Sequence, residues 1–165
     1  MFRLLALDVD GTLTDGGVFI DGAGHEFKRF HVRDGLGIAM FKGSGGTVAL
    51  ISARQSDATL ARAKELGMKV VMNGKGEKLP ALQELCRELG VSQSETAYVG
   101  DDLNDCACIR WAGFGAAVAD AVSAAKEAAD WITQSGGGFG AVREVTDELL
   151  RRNAAELQNE MLPHA

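Results

Sequence analysis

A chain of 165 residues is long enough for one domain and buries roughly 70% of the surface its unfolded form exposes, so it needs no disulfide or metal staple to fold. Apolar residues make up 46% and charged residues 24%, which excludes a collagen, a coiled coil and a disordered tail. A balance of 17 basic against 23 acidic residues, net −6, argues against a nucleic-acid or anionic-membrane surface, though not against a small anionic substrate met by local Lys and Arg.

The opening Met1-Phe2-Arg3-Leu4-Leu5-Ala6-Leu7-Asp8 reaches an acidic residue too soon for a signal peptide. No apolar run approaches the ~20 residues of a membrane span. Three cysteines, an odd number, suit a reducing compartment, and a cytoplasmic location is expected. Cys106 and Cys108 have no nearby His or Cys partner, which speaks against zinc.

Residues 4–9 form a short apolar run ended by Asp-Gly and read as a buried strand. Val18 to Phe30, with Asp21-Gly22-Ala23-Gly24 at its middle, reads as a β-hairpin before the first helix. Further strands are expected at 47–52, 69–72, 96–100, 115–118 and 131–133. Helices are expected at 57–66, stopped by Gly67, and at 78–89, where Leu79, Leu82, Leu85, Cys86 and Leu89 share one face before Gly90. The flexible run Ser135–Gly140 precedes a last helix at about 141–152, and a tail at 153–165 that is expected to fray. This alternation predicts a doubly wound, mostly parallel α/β sheet of Rossmann-like type with a hairpin insertion, in a single domain over 1–165. Ligands in such sheets sit beyond the carboxyl ends of the strands.

Chemistry-bearing residues fall at those ends. Asp8-Val9-Asp10-Gly11 sets two carboxylates where the first strand turns off. The pattern also opens an EF-hand loop, but the loop's Glu at position twelve is missing and the preceding segment is strand-like. Gly100-Asp101-Asp102-Leu103-Asn104-Asp105 ends another strand, and converging carboxylates repel unless a cation neutralises them. Oxygen donors without His or Cys favour Mg²⁺. Capping of the following helix accounts for one of these aspartates, not three. Ser52 offers a hydroxyl and nearby N–H groups to a phosphate, and Lys78 a point charge.

Asp-x-Asp-Gly, Ser, Lys and Gly-Asp-Asp-x-x-Asp, in this order from Asp8 to Asp105, resemble the haloacid dehalogenase superfamily of phosphotransferases. The resemblance implies Asp8 as nucleophile, Asp10 as general acid and base, and Ser52 and Lys78 as phosphate ligands. It also implies Mg²⁺ held by Asp8, the Asp10 carbonyl and Asp101, with Asp102 and Asp105 supporting the metal or the lysine. Phe30-His31-Val32-Arg33-Asp34-Gly35, Ser52-Ala53-Arg54, Val118-Ala119-Asp120-Ala121 and Gly137-Gly138-Phe139-Gly140-Ala141-Val142-Arg143-Glu144 are similar to the cap-less phosphatases of 3-deoxy-D-manno-octulosonate 8-phosphate. That likeness implies a sugar-acid phosphate substrate, Arg33, Arg54 and Lys75 as its ligands, and a homotetramer joined through the hairpins. The chain departs from the pattern at Ala53, where the family has Gly, and at Phe139, where it has Arg. Related 9-phosphate phosphatases of nine-carbon sugar acids tend to carry Glu at the place of Arg54, so Arg54 favours the eight-carbon acid.

Three other readings stay open. One is a nine-carbon 9-phosphate phosphatase; another is a non-catalytic oligomerisation module like those fused to cytidylyltransferases. The third, a phospho-accepting receiver, lacks a counterpart of Asp10, the acid and base that turns an acceptor into a hydrolase.

Overall fold

In the computed structural model, which describes residues 1–74 and 76–161, the first apolar run becomes strand β1 (Leu4–Leu7), buried along its whole length. It lies at the centre of a six-stranded sheet. The other strands are β4 (Thr47–Ser52), β5 (Val70–Asn73), β6 (Thr96–Gly100), β7 (Phe114–Ala117) and β8 (Trp131–Ile132). Their order is β5-β4-β1-β6-β7-β8 and every pairing is parallel. Parallel strands covered on both faces carry continuous apolar runs, which is why Leu-Leu-Ala-Leu and Thr-Val-Ala-Leu-Ile-Ser do not alternate.

Helices α1 (Val32–Gly43), α2 (Asp57–Glu65), α3 (Lys78–Leu89), α4 (Cys106–Trp111), α5 (Ser123–Ala128) and α6 (Ala141–Met161) cover the sheet. The chain runs from β1 outward to β4 and β5, then crosses back to β6, β7 and β8. Right-handed crossovers therefore set α1 and α2 on one face and α3, α4 and α5 on the other. The last helix returns to pack along α1. Asp34 of α1 ties the two together by accepting from the Arg143 N–H in the first turn of α6, at 2.8 Å. Tyr98, Phe41, Ile38 and the β1 leucines fill the interior. Burying each large apolar side chain there contributes roughly 1.5–3 kcal/mol.

Between β1 and α1 stands a two-stranded antiparallel hairpin, β2 (Phe19–Ile20) and β3 (Glu26–Phe27), with Phe19 opposite Phe27. Asp21 organises its turn, Oδ1 accepting from the N–H groups of Ala23 and His25 at 2.9 and 2.8 Å. A bridge between Thr14 and Phe30 closes its base. The expected hairpin over 18–30 is thus present with shorter strands.

The clearest departure from the sequence pattern is the last helix. It was expected to end at residue 152 and instead runs to Met161, so most of the expected tail is helical; residues 162–165 lie outside the described residues. Ala, Glu, Leu and Gln in this stretch are good helix formers. Asn153 also pins the extension, accepting from Phe2 N–H at 2.6 Å and donating to Phe2 O at 2.9 Å, as a neighbouring strand would. Among the described residues no helix is long and apolar enough to cross a membrane.

Candidate active site

The strand order reverses direction about β1, between β4 and β6, and the crevice of a doubly wound sheet opens at such a switch point. Asp8 directly follows β1, Ser52 is the last residue of β4, and Asp101 directly follows β6. Together with Asp10, Arg54 and Asn104 they line a pocket of about 190 Å³. A larger, shallow hollow of about 550 Å³ lies by Cys86, Gly90, Gln93 and Trp111, before β6 at the amino ends of the strands, where no set of charges converges.

Beneath the pocket floor Lys78, the first residue of α3, is buried with its ammonium 2.5 Å from Asp8 Oδ1 and 2.7 Å from Asp105 Oδ1. A lysine at a helix amino end opposes the macrodipole, and these carboxylates offset that as well as the loss of water. Together they raise the Lys78 pKa against the lowering effect of its burial, keeping the ammonium charged. Asp105 has no valence to spare. Its Oδ1 accepts from Lys78 and from the Tyr98 hydroxyl at 2.6 Å, and its Oδ2 from the N–H groups of Asp101 and Asp102 at 3.0 and 3.2 Å. It therefore anchors the lysine and the loop after β6, while Asp102 accepts from Leu103 N–H and caps the short turn that follows.

Two carboxylates at the pocket, those of Asp8 and Asp101, are strongly perturbed. Burial first, and then the Asp105 charge, hold Asp8 well above the usual carboxylate range despite the lysine beside it. Burial likewise pushes Asp101 up to about 6. One oxygen from each of Asp8, Asp101 and Asp105 lies within 4.8 Å of the others. With the Asp105 oxygens already taken, Asp8 and Asp101 are the free donors for a cation. Oxygen-only donors whose ionisation is suppressed by burial suit Mg²⁺, whose charge would reverse that suppression. Gly11 makes the approach possible. At its φ of +89° a β-carbon would stand 2.1 Å from Asp101 Oδ2, so only glycine lets the two loops meet. Gly137 does the same for the glycine-rich run, where a β-carbon would meet Gly11 O at 1.7 Å.

The remaining predicted residues divide. Ser52 is not a helix cap; Ser56 caps α2, while Ser52 Oγ sits at the pocket, donating to Arg54 O and accepting from Arg54 N–H. Arg54 reaches the rim, where its guanidinium donates to Glu26 Oε2 at 2.6 Å. Arg33 is exposed at the start of α1 and does not line the pocket. Lys75 lies outside the described residues. Phe139, in the arginine's place, is 55% exposed and stacks under the Arg29 guanidinium at 4.2 Å, itself bonded to Asp15. All three cysteines are free and buried, and burial pushes the Cys108 thiol up to about 12, which leaves it unreactive.

The hairpin contributes two groups that sequence reasoning passed over. Lys28 places its ammonium 2.7 Å from Asp10 Oδ1, and Glu26 holds Arg54 and the Ser56 hydroxyl. Strand alternation was the available signal, since it sets Glu26 and Lys28 on one side and Phe27 on the other.

Residues 54–143 match the family model for haloacid dehalogenase-like hydrolases. The 3-deoxy-D-manno-octulosonate 8-phosphate phosphatase of Haemophilus influenzae is 42% identical over 149 residues, spanning 90% of this chain and 83% of that protein. The Escherichia coli K12 phosphatase of the same name is 43% identical over 148 residues, 90% of this chain and 79% of that one. A solved structure of the Moraxella catarrhalis phosphatase, in complex with magnesium ion, phosphate ion and KDO, superimposes with a TM-score of 0.90 at 40% identity, covering 98% of this chain and 94% of that one.

Proposed function

The chain belongs to the haloacid dehalogenase-like hydrolases, and from that premise we propose that it hydrolyses 3-deoxy-D-manno-octulosonate 8-phosphate, releasing the sugar acid and inorganic phosphate with Mg²⁺ as cofactor. The observation that carries this reading is the meeting of Asp8, Asp10, Ser52, Arg54 and Asp101 in one pocket at the switch point of the sheet.

Asp8 is the nucleophile. A carboxylate oxygen forms a bond to phosphorus as the bond to the sugar oxygen breaks, which divides one hydrolysis into two displacements. Lys78, paired with Asp8 and steadied by Asp105, fixes the attacking carboxyl and stands ready as a positive charge for the phosphoryl group. Ser52 supplies a hydroxyl to the same oxygens. Asp10 gives its proton to the leaving sugar oxygen and then takes one from the water that attacks the aspartyl-phosphate, a role typically worth about 10²–10⁴-fold. Arg54 recognises the sugar-acid carboxylate, exchanging Glu26 for it, with Arg33 and Lys75 as further candidate ligands. Asp8, the Asp10 carbonyl and Asp101 would hold Mg²⁺, which supplies charge that keeps the carboxylates ionised and offsets their repulsion of the phosphate.

The reading takes residues 1–165 as one domain without a cap, assembled as a cytoplasmic homotetramer through the hairpins. Exposed Phe19, Ile20 and Phe27 support the assembly, and free cysteines fit the compartment. The test is phosphate release, with Mg²⁺ and with EDTA, from the eight-carbon and nine-carbon sugar-acid phosphates, hexose phosphates and p-nitrophenyl phosphate. Mg²⁺-dependent preference for the eight-carbon acid is expected. Preference for another sugar would overturn the substrate, and no release from any would point to a non-catalytic module.

A further inference from the structure

Lys28 has no place in the four-part motif, yet its side chain is fully buried beside the reacting groups. Its ammonium lies 2.7 Å from Asp10 Oδ1 and 3.4 Å from Glu26 Oε1, and it donates to Thr59 Oγ1 at 3.4 Å. Taking an ammonium out of water is costly unless partners compensate, so a lysine in this place is held by its contacts. Glu26 is itself fixed from below, accepting from the Ser56 hydroxyl at 2.5 Å and from Arg54 at 2.6 Å. The ammonium is thus set by α2 and β3 together, independently of Asp10.

Asp10 is held differently. Its Oδ1 is buried and makes no aligned hydrogen bond, so the nearby ammonium is the charge that faces it. Asp10 nonetheless lines the pocket, and its exposure falls on the rest of the side chain. A carboxyl that must give a proton and later take one works only if one oxygen stays aimed at the reacting atom. We propose that Lys28 is a positioning residue for Asp10: it pins Oδ1 from the hairpin, so that Oδ2 is the oxygen that gives and takes the proton at the leaving group. The two demands are compatible, because a neutral carboxyl keeps a lone-pair oxygen, Oδ1, against the ammonium while it donates through Oδ2–H. The inference rests on the reading of Asp10 as acid and base, and it makes the hairpin part of the catalytic apparatus of its own chain.

The test compares Lys28→Met, Lys28→Arg, Asp10→Asn and the Lys28→Met/Asp10→Asn pair, full-length and with Mg²⁺, on the eight-carbon sugar-acid phosphate and on p-nitrophenyl phosphate. Nitrophenolate leaves without a proton, so its pre-steady-state burst reports formation of the aspartyl-phosphate without the acid, whereas steady turnover still needs Asp10 as base. Lys28→Met is expected to lower kcat on the sugar phosphate by about 10²-fold, the lower end of acid–base effects, with KM nearly constant and little change in the nitrophenolate burst. Lys28→Arg should recover part of the loss, and Lys28→Met should cost nothing further in the Asp10→Asn background. Equal loss in sugar-phosphate turnover and in the nitrophenolate burst, a change confined to KM, or an additive loss in the double variant would overturn the proposal. If Asp10→Asn leaves the sugar-phosphate rate intact, it is the reading of Asp10 that fails, and the role of Lys28 with it. Melting temperatures are read in parallel; should Lys28→Met melt below the assay temperature, Lys28→Gln removes the charge while keeping a donor for Glu26 and Thr59, and the same outcomes decide.

Discussion

Around Lys78, charged groups are buried and paired several times over; on the hairpin, aromatic side chains stand in the open. The lysine and Asp105 are both inaccessible, and Asp105 accepts from four donors. Phe19 and Phe27, opposite each other across β2 and β3, are 62% and 58% exposed. The first region holds charge in a place that disfavours it, as a site that binds a cation and a phosphate must. The second leaves apolar area uncovered, the area that the proposed assembly through the hairpins would bury. Between them Glu26 and Lys28 point back from the hairpin toward Arg54 and Asp10, so the two regions share a boundary.

The sharpest way to break this contrast is Asp8→Asn. Turnover should fall by more than about 10⁴-fold, as for other nucleophiles that act within a unit. No acid-stable, hydroxylamine-sensitive phosphoenzyme should form. Because burial and Asp105 already favour the neutral form of Asp8, melting in EDTA should hold or rise in the same variant. Retained turnover would take Asp8 out of the chemistry, and a collapse in melting would make its charge structural.

A smaller effect is expected from the metal and pH together. Burial lifts Asp101 from the ordinary 3.8 to about 6, so between those values the native state holds a proton that the unfolded state has released. Stability without metal therefore falls as pH rises through that window, and the penalty is complete above it. Mg²⁺ binds the ionised form, so its stabilising effect should be full at pH 7.5 and shrink below pH 6, affinity dropping by about tenfold per unit for each proton displaced. Calorimetric melting with Mg²⁺ and with EDTA at pH 5.0 and 7.5 reads this directly. An equal Mg²⁺ shift at both would separate Asp101 from the metal.

The smallest change in chemistry should come from the hairpin surface. Phe19→Ser with Phe27→Ser removes exposed apolar area and little buried contact, so monomer stability should shift by no more than about 0.5 kcal/mol. Molecular mass by light scattering should drop, while p-nitrophenyl phosphate hydrolysis by the dispersed chain persists. Unchanged mass would remove these residues from the assembly surface.

Much of this architecture was legible in the chain. Continuous apolar runs ending in Asp, Ser or Gly marked the central strands to within a residue or two, because a parallel strand covered on both faces has no polar side to interrupt it. The extension of α6 was not, since Asn153 reads as a frayed polar residue until Phe2 is beside it, 151 positions away. Ser52, a hydroxyl between a strand and a helix, has by itself the residue type of a cap, and the placement of α2 on Ser56 shows that it is not one.

The site divides along the same line. Residue type and order alone determined that two acidic clusters, a hydroxyl and a lysine would reach the carboxyl ends of strands, because strand direction and the right-handed crossover leave them nowhere else. Which aspartates face the pocket was decided by tertiary structure. Asp105 is disqualified as a free ligand by donors from β6, its own loop and α3, while Arg33, exposed at the start of α1, is not part of the pocket lining. Lys28 and Glu26 acquire their meaning only when the hairpin folds back over Asp10 and Arg54, since a charge on a short hairpin has no function until something of opposite sign is brought within about 3 Å of it.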